Sequence, residues 1–165
     1  MVSGRFLDKC VDVNLSCGMV VLDPPFTTTL LVRDTCLCLH VQRAARALAR
    51  RFDEELRPVG LTSGQFSLLM SLNRSEPPNI AQVAALLAMD RTTLTANLKP
   101  LERRGLVLVG KNETDKRRRA LALTAAGRST LAAAMPIWQR THEAIERALG
   151  GSSPNRLRAD LRALS

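Results

Sequence analysis

From Leu37 onward, apolar residues recur at helical spacing. Leu37, Val41, Ala44, Leu48 and Phe52 form one stripe, with Arg43, Arg46 and Arg50 between them. The spacing predicts a helix starting after Asp34 and stopped by Pro58 and Gly60. Thr62 and Gln65 stand three residues apart, where each side chain can satisfy the other's backbone N–H, so a second helix begins there and carries "SGQFSLLMSL". Asn79 and Gln82 repeat that signature ahead of "IAQVAALLA", a short helix. Asp90 is placed to cap a fourth, "RTTLTANLKPLERRG", which Gly105 closes. "LVLV" at 106–109 reads as a strand and 119–123 as its partner, with a connection over 110–118 too long for a tight turn. Thr124 caps a long helix to about Leu149. "GGSSPN" then separates a last helix over 155–164, with Leu157, Leu161 and Leu164 on one side.

Residues 1–33 do not continue this pattern. "DPPF" at 23–26 interrupts any helix, and its flanks "MVVL" and "TTTLLV" read as short strands or extended arms. The segment is read as an N-terminal extension, either folded against the rest or reaching out as an arm.

Two short helices joined at Met89–Asp90 suggest a helix-turn-helix. On the second, Leu94, Leu98 and Leu101 form one stripe. Thr92, Ala96, Lys99 and Arg103 lie opposite, with Thr93 and Thr95 on the flanks. A small, polar face with cations toward its end suits a DNA major groove: short hydroxyls permit close approach, and Lys and Arg reach phosphates or guanine edges. Arg91, Thr92, Thr93, Thr95, Asn97, Lys99 and Arg103 are therefore the candidate contacts on this helix. Pro100 removes one helical hydrogen bond and predicts a bend beyond the first two turns. A two-stranded hairpin directly after the helix-turn-helix makes the unit a winged helix. The wing tip is "DKRRR", with Lys116, Arg117, Arg118 and Arg119 as further candidate contacts. Asp115 is expected to pair with Arg117 and stiffen the tip rather than touch DNA.

Composition sharpens this picture. The chain has 165 residues and a net charge of +9, with aromatics at 3%, so the core must be built from Leu, Ala, Val and Met. Between Arg91 and Arg119 there are nine basic and three acidic residues, a net of +6, so about two-thirds of the excess charge lies on one contiguous unit. Duplex phosphates are the polyanion that matches it, and a wing can carry an arginine into the minor groove. The competing readings are a basic surface without a target and a nucleoid-type protein that binds DNA without preference. No phosphate-binding loop, Ser/His/Asp order or paired-acid motif is present, so an enzyme is not expected. The four cysteines, Cys10, Cys17, Cys36 and Cys38, lack zinc spacing, and no metal or other cofactor is expected. The N-terminus shows no apolar run of signal-peptide or membrane-span length, which points to a cytoplasmic protein with reduced thiols.

Three stretches then carry a family resemblance: "GLTSGQFSLLMSL", "VAALLAMDRTTLTANLKPLERRGLV" and "DKRRRALALTAAGR". Over about residues 34–150 the chain resembles the MarR family of bacterial transcription regulators. The family's wing has an Asp-x-Arg tip and a strand ending in Leu-Thr-x-x-Gly. Here these are Asp115, Arg117, Leu123, Thr124 and Gly127. The resemblance implies a homodimer in which N- and C-terminal helices interlock and two winged lobes straddle a palindromic operator. It also implies small aromatic or anionic effectors bound in the cleft between dimer base and lobe. The resulting expectation is a mainly α fold: a winged helix-turn-helix with a two-stranded wing and a helical dimerisation domain. Its divisions are an extension at 1–33, a dimerisation helix at 34–60, the DNA-binding domain at 61–124 and dimerisation helices at 125–165.

The residues agree with a dimer. Leu131, Met135, Trp138, His142, Ile145 and Leu149 repeat at alternating spacings of four and three, as a packing seam does. Trp138 and His142 are candidates for the effector site or the dimer seam. His142 reads as a pH sensor, a ligand to an effector carboxylate, or a satisfied interface residue. Cys38 falls where the hydroperoxide-sensing branch of the family carries its reactive cysteine, with Arg33 and His40 placed to favour a thiolate and Asp34 to oppose it. Two features depart from that branch: the chain has no tyrosine to position the thiol, and no cysteine beyond residue 38. Cys36 and Cys38 are thus redox-sensor candidates whose alternative is a place in the dimer core.

Overall fold

The computed structural model of the protein describes residues 23–111 and 119–164. The chain divides between His40 and Val41 into two compact units.

In the first unit, α1 spans Phe26–Thr35. "TTTLLV" is therefore helical, which corrects the expectation of a strand or extended arm there. Pro25 supplies the extended N-cap, the Thr28 N–H donates to its carbonyl at 2.9 Å, and the Thr35 hydroxyl donates to the Leu31 carbonyl at 2.7 Å. Against such local bonds the helix penalty of a β-branched threonine is only a few tenths of a kcal/mol. Cys36 is extended and ends α1, and the His40 N–H then donates back to the Cys36 carbonyl at 3.1 Å as α2 (Leu37–Leu56) begins. The expected single start after Asp34 is thus a break between two helices.

In the second unit, a 3-10 turn over Arg57–Val59 ends α2. It closes on Gly60, whose φ of +67° is the left-handed conformation that glycine adopts without a Cβ penalty. Both predicted capping boxes form: Thr62 with Gln65 opens α3 (Ser63–Leu72), and Asn79 with Gln82 opens α4 (Ile80–Leu86). α5 is Arg91–Arg103, β1 Val107–Lys111, β2 Arg119–Leu123, α6 Ala125–Ala148 and α7 Pro154–Arg162. The strands are antiparallel, with Val107 opposite Leu123 and Lys111 opposite Arg119. Their alternation sends Val107, Leu121 and Leu123 inward and leaves Leu108 exposed. The loop before α4 joins the hairpin: Asn79 bridges Ala120, and the Leu121 N–H donates to the Pro78 carbonyl at 2.9 Å.

One leucine-rich core unites these elements. Leu56 from α2, Leu68 and Leu69 from α3, Val83 from α4, and Leu94 and Leu101 from α5 are fully buried, together with Leu121 from β2 and Ala134 from α6. Leu131 also lies in this core, and Met135 and Trp138 pack against it. The seam read from α6 is therefore split: its first half covers the chain's own winged unit rather than a partner. Other apolar faces stay uncovered in the single chain. Leu48 on α2, Leu157 and Leu161 on α7, and Leu164 just beyond it are exposed. No helix among the described residues is long and apolar enough to cross a membrane.

Candidate nucleic-acid interface

The turn between α4 and α5 is tight. Ala88 takes a left-handed φ of +49°, and the Met89 N–H returns to the Ala84 carbonyl at 2.9 Å. Asp90 then caps α5, accepting from the Thr93 N–H at 2.8 Å and from the Thr93 hydroxyl at 2.6 Å. These bonds, the hydroxyl's foremost, hold the Asp90 carboxyl below its ordinary pKa. Leu94, Leu98 and Leu101 are buried, which fixes the rotation of α5 about its axis. Arg91, Thr92, Thr93, Ala96, Lys99 and Arg103 are consequently exposed, while Thr95 and Asn97 are half-buried. Arg91, Thr92, Thr95, Ala96 and Lys99 border one open surface groove along the helix.

Several side chains have local duties that the helical pattern did not reveal. The Thr93 hydroxyl proton is committed to Asp90, and the Thr95 hydroxyl donates to the Arg91 carbonyl at 2.7 Å. Asn97 turns its amide toward the Met89 sulfur at 3.9 Å, back against the helix-turn-helix corner. The hydroxyl on this face without such a role among the hydrogen bonds seen is that of Thr92. α5 continues through Pro100 to Arg103 although Pro100 cannot donate to the Ala96 carbonyl.

The base of the hairpin is clamped to α6. The Thr124 hydroxyl donates to the Gly105 carbonyl at 2.7 Å and accepts from the Gly127 N–H at 2.9 Å, while the Thr124 N–H donates to the Leu106 carbonyl at 3.1 Å. Asp115, Lys116, Arg117 and Arg118 lie outside the described residues, and Arg119 enters the ladder opposite Lys111.

A cleft of about 400 Å³ opens where α3, the end of α4 and α6 meet. Phe66, Met70, Leu86, Leu87, Met135 and Trp138 give it apolar walls, and Ser67 and Ser71 add hydroxyls. Only Trp138 among these was expected at an effector site. The visible sequence signal was that α3 is apolar on nearly every side. Trp138 stacks on Phe66, with centroids 6.4 Å apart, and on His142 at 4.7 Å. His142 Nε2 meets Glu146 Oε1 at 3.1 Å, and Arg158 from α7 donates to the same oxygen at 2.6 Å. Arg158, before His142, holds the Glu146 carboxyl below its ordinary pKa.

Cys36 is half-buried at the break between α1 and α2 and Cys38 is exposed two residues on; no disulfide joins the two. Arg33 pairs with the Asp34 carboxylate at 2.6 Å, and His40 Nε2 lies 3.2 Å from the Asp34 carbonyl oxygen.

Comparison with known proteins places this geometry. The model of the MarR family matches residues 61–118. The HTH-type transcriptional regulator YwoH of Bacillus subtilis is 33% identical over 85 residues, covering 52% of this chain and 61% of that protein. The chain thus spans about three-fifths of the length of that curated relative. The crystal structure of the Mycobacterium tuberculosis transcriptional regulator MosR in complex with DNA is similar, with a TM-score of 0.71 at 40% identity, over 78% of this chain and 92% of that one. So is the transcriptional repressor CouR bound to a 23-mer DNA duplex, with a TM-score of 0.70 at 31% identity, over 78% and 91%.

Proposed function

Because the chain belongs to the MarR family, we propose that it is a sequence-specific DNA-binding regulator of transcription in the cytoplasm, acting as a homodimeric repressor. The observation that carries this reading is α5: a helix pinned to the core by Leu94, Leu98 and Leu101, with Arg91, Thr92, Lys99 and Arg103 facing outward. In a major groove, Thr92 and Ala96 permit close approach while the cations reach phosphates and guanine edges. Arg117 and its neighbours at the wing tip take the adjacent minor groove or backbone, and Asp115 stiffens the tip. MosR and CouR, the similar proteins, were each solved on DNA, which supports the reading.

Dimerisation is assigned to α2 and α7, whose exposed Leu48, Leu157 and Leu161 one winged unit cannot cover, together with the second half of α6. A two-fold dimer presents two copies of α5 at a fixed separation, so the matching operator is palindromic. Release works by population shift: an effector must favour a dimer whose two recognition helices miss the half-site spacing. The cleft beside Trp138 suits a small aromatic molecule. Its lining carries no cation, so an aromatic ring is favoured over an anion as the recognised group. Oxidation at Cys38, with Cys36 two residues before it, is the second release route; the exposure of Cys38 favours it.

The test is stoichiometry and symmetry together. Light scattering of the chain with a duplex it selects from a randomised pool should give two chains per duplex, and the selected sequence should be an inverted repeat. One chain per duplex, or selection of no sequence, would contradict the proposal, and the latter would favour a nucleoid-type protein.

A further inference from the structure

Arg104 follows α5 directly and was counted among the cations of the DNA-facing unit, yet its side chain turns away from the groove face. Its Nη1 donates to the Gly60 carbonyl at 2.6 Å, across 44 residues of chain. The guanidinium lies over Gly60 itself: a Cβ built there would stand 3.1 Å from Arg104 Nη2. Gly60 is the corner between α2 and α3. That corner is stapled a second time, by the Ser63 N–H donating to Asp53 of α2 at 2.6 Å. Leu56 and Leu61 bury its apolar side. On the other end, Arg104 is the C-cap of α5, and the next residue, Gly105, is held by the Thr124 hydroxyl. Arg104 is therefore a polar strut from the foot of the helix assigned to dimerisation to the end of the helix assigned to reading DNA.

We infer that Arg104 is a positioning residue for operator recognition, which fixes the angle between α2 and α5 and so the separation of the two recognition helices in the dimer. The inference rests on the proposed function. The leucine stripe sets which face of α5 points outward, but its contacts are not directional and leave the tilt of the helix axis free to change slightly. A charge-assisted bond to a carbonyl at the rim of that packing is directional and selects one orientation. The same geometry adds to the reason that its φ of +67° gives for glycine at 60: a Cβ there would crowd the guanidinium and shift it by a few tenths of an ångström.

The experiment uses the full chain and a duplex selected by it from a randomised pool. Salt-dependent titrations are run on that duplex, on a scrambled one, and on one with a base pair inserted at its centre. Arg104→Met should bind the selected duplex about tenfold more weakly, the scale of one charge-assisted hydrogen bond. It should bind scrambled DNA as the parent does and discriminate less against the inserted base pair. Its salt slope should be unchanged, because the strut touches no phosphate. Arg104→Lys, which keeps a donor, should recover most of the affinity. Gly60→Ala, which removes no charge but crowds the guanidinium, should show a smaller loss of the same kind. A slope smaller by about 0.9 in Arg104→Met would place the guanidinium on a phosphate and overturn the positioning role while leaving the functional reading intact. Equal loss on selected and scrambled DNA would overturn it as well. A parent chain that selects no sequence would overturn the functional reading, and this inference with it.

Discussion

Gly127 lies directly against the main chain of Leu106: a Cβ at position 127 would sit 2.0 Å from the Leu106 carbonyl oxygen. The obstacle is backbone, not a side chain that can swing aside. α6 can therefore approach the end of the recognition unit only if residue 127 has no side chain, and Thr124 completes the contact from the same turn.

Gly127→Ala should accordingly cost about 3 kcal/mol, the upper range for overpacking a well-packed site. Urea unfolding followed by circular dichroism measures it. A loss under about 0.5 kcal/mol would mean that α6 slides freely on the hairpin base, against the close approach described here.

The cap of α5 makes a pH prediction. Asp90 has a carboxyl pKa lowered in the folded chain, chiefly by the Thr93 hydroxyl. A lowered value means that the folded chain binds this proton more weakly than the unfolded one. The cap thus stabilises above the unfolded carboxylate's pKa, and that contribution is lost as pH falls through the folded value. Thr93→Val keeps the shape and removes the hydroxyl. It should raise the Asp90 pKa toward its ordinary value and shift the acid edge of unfolding to higher pH. Carboxyl carbon NMR through the titration reads this directly, and an unmoved Asp90 would mean that the backbone N–H alone sets the shift.

At the wing, Arg117→Ala should weaken binding to all duplexes alike and flatten the salt slope by about one phosphate contact. A loss confined to one sequence would instead make Arg117 a reader of bases.

For the thiols, Cys38→Ser should leave DNA binding by the reduced protein unchanged. If oxidation is the release route, it should also abolish release by an organic hydroperoxide. Release that persists in the variant would move the search to the aromatic cleft beside Trp138.

What could be read from the chain alone was local. Thr62 with Gln65, Asn79 with Gln82, Asp90 and Thr124 each act on a backbone group three residues away, so spacing suffices to find them. α1 was missed because its threonines carry a strand preference, while the bonds that offset it, from Thr28 to Pro25 and from Thr35 to Leu31, depend on the helix already existing. The α6 stripe was found but its partners were not: periodicity marks Leu131 and Trp138 as facing something, and only the fold shows that the something is α3 and the chain's own core. Arg104 was invisible for a similar reason. In a count of charges it adds to the positive unit, whereas in space it is spent on Gly60.

α5 and the wing are assigned sequence-specific recognition of DNA. The most direct measurement is fluorescence anisotropy of the reduced chain on a selected inverted-repeat duplex and on its scrambled counterpart, at one physiological salt concentration. Recognition by α5 and the wing should give at least about a thousandfold preference for the selected duplex, the lower end for specific regulators. Equal affinity for the two would contradict it and leave a basic protein that binds DNA by charge alone.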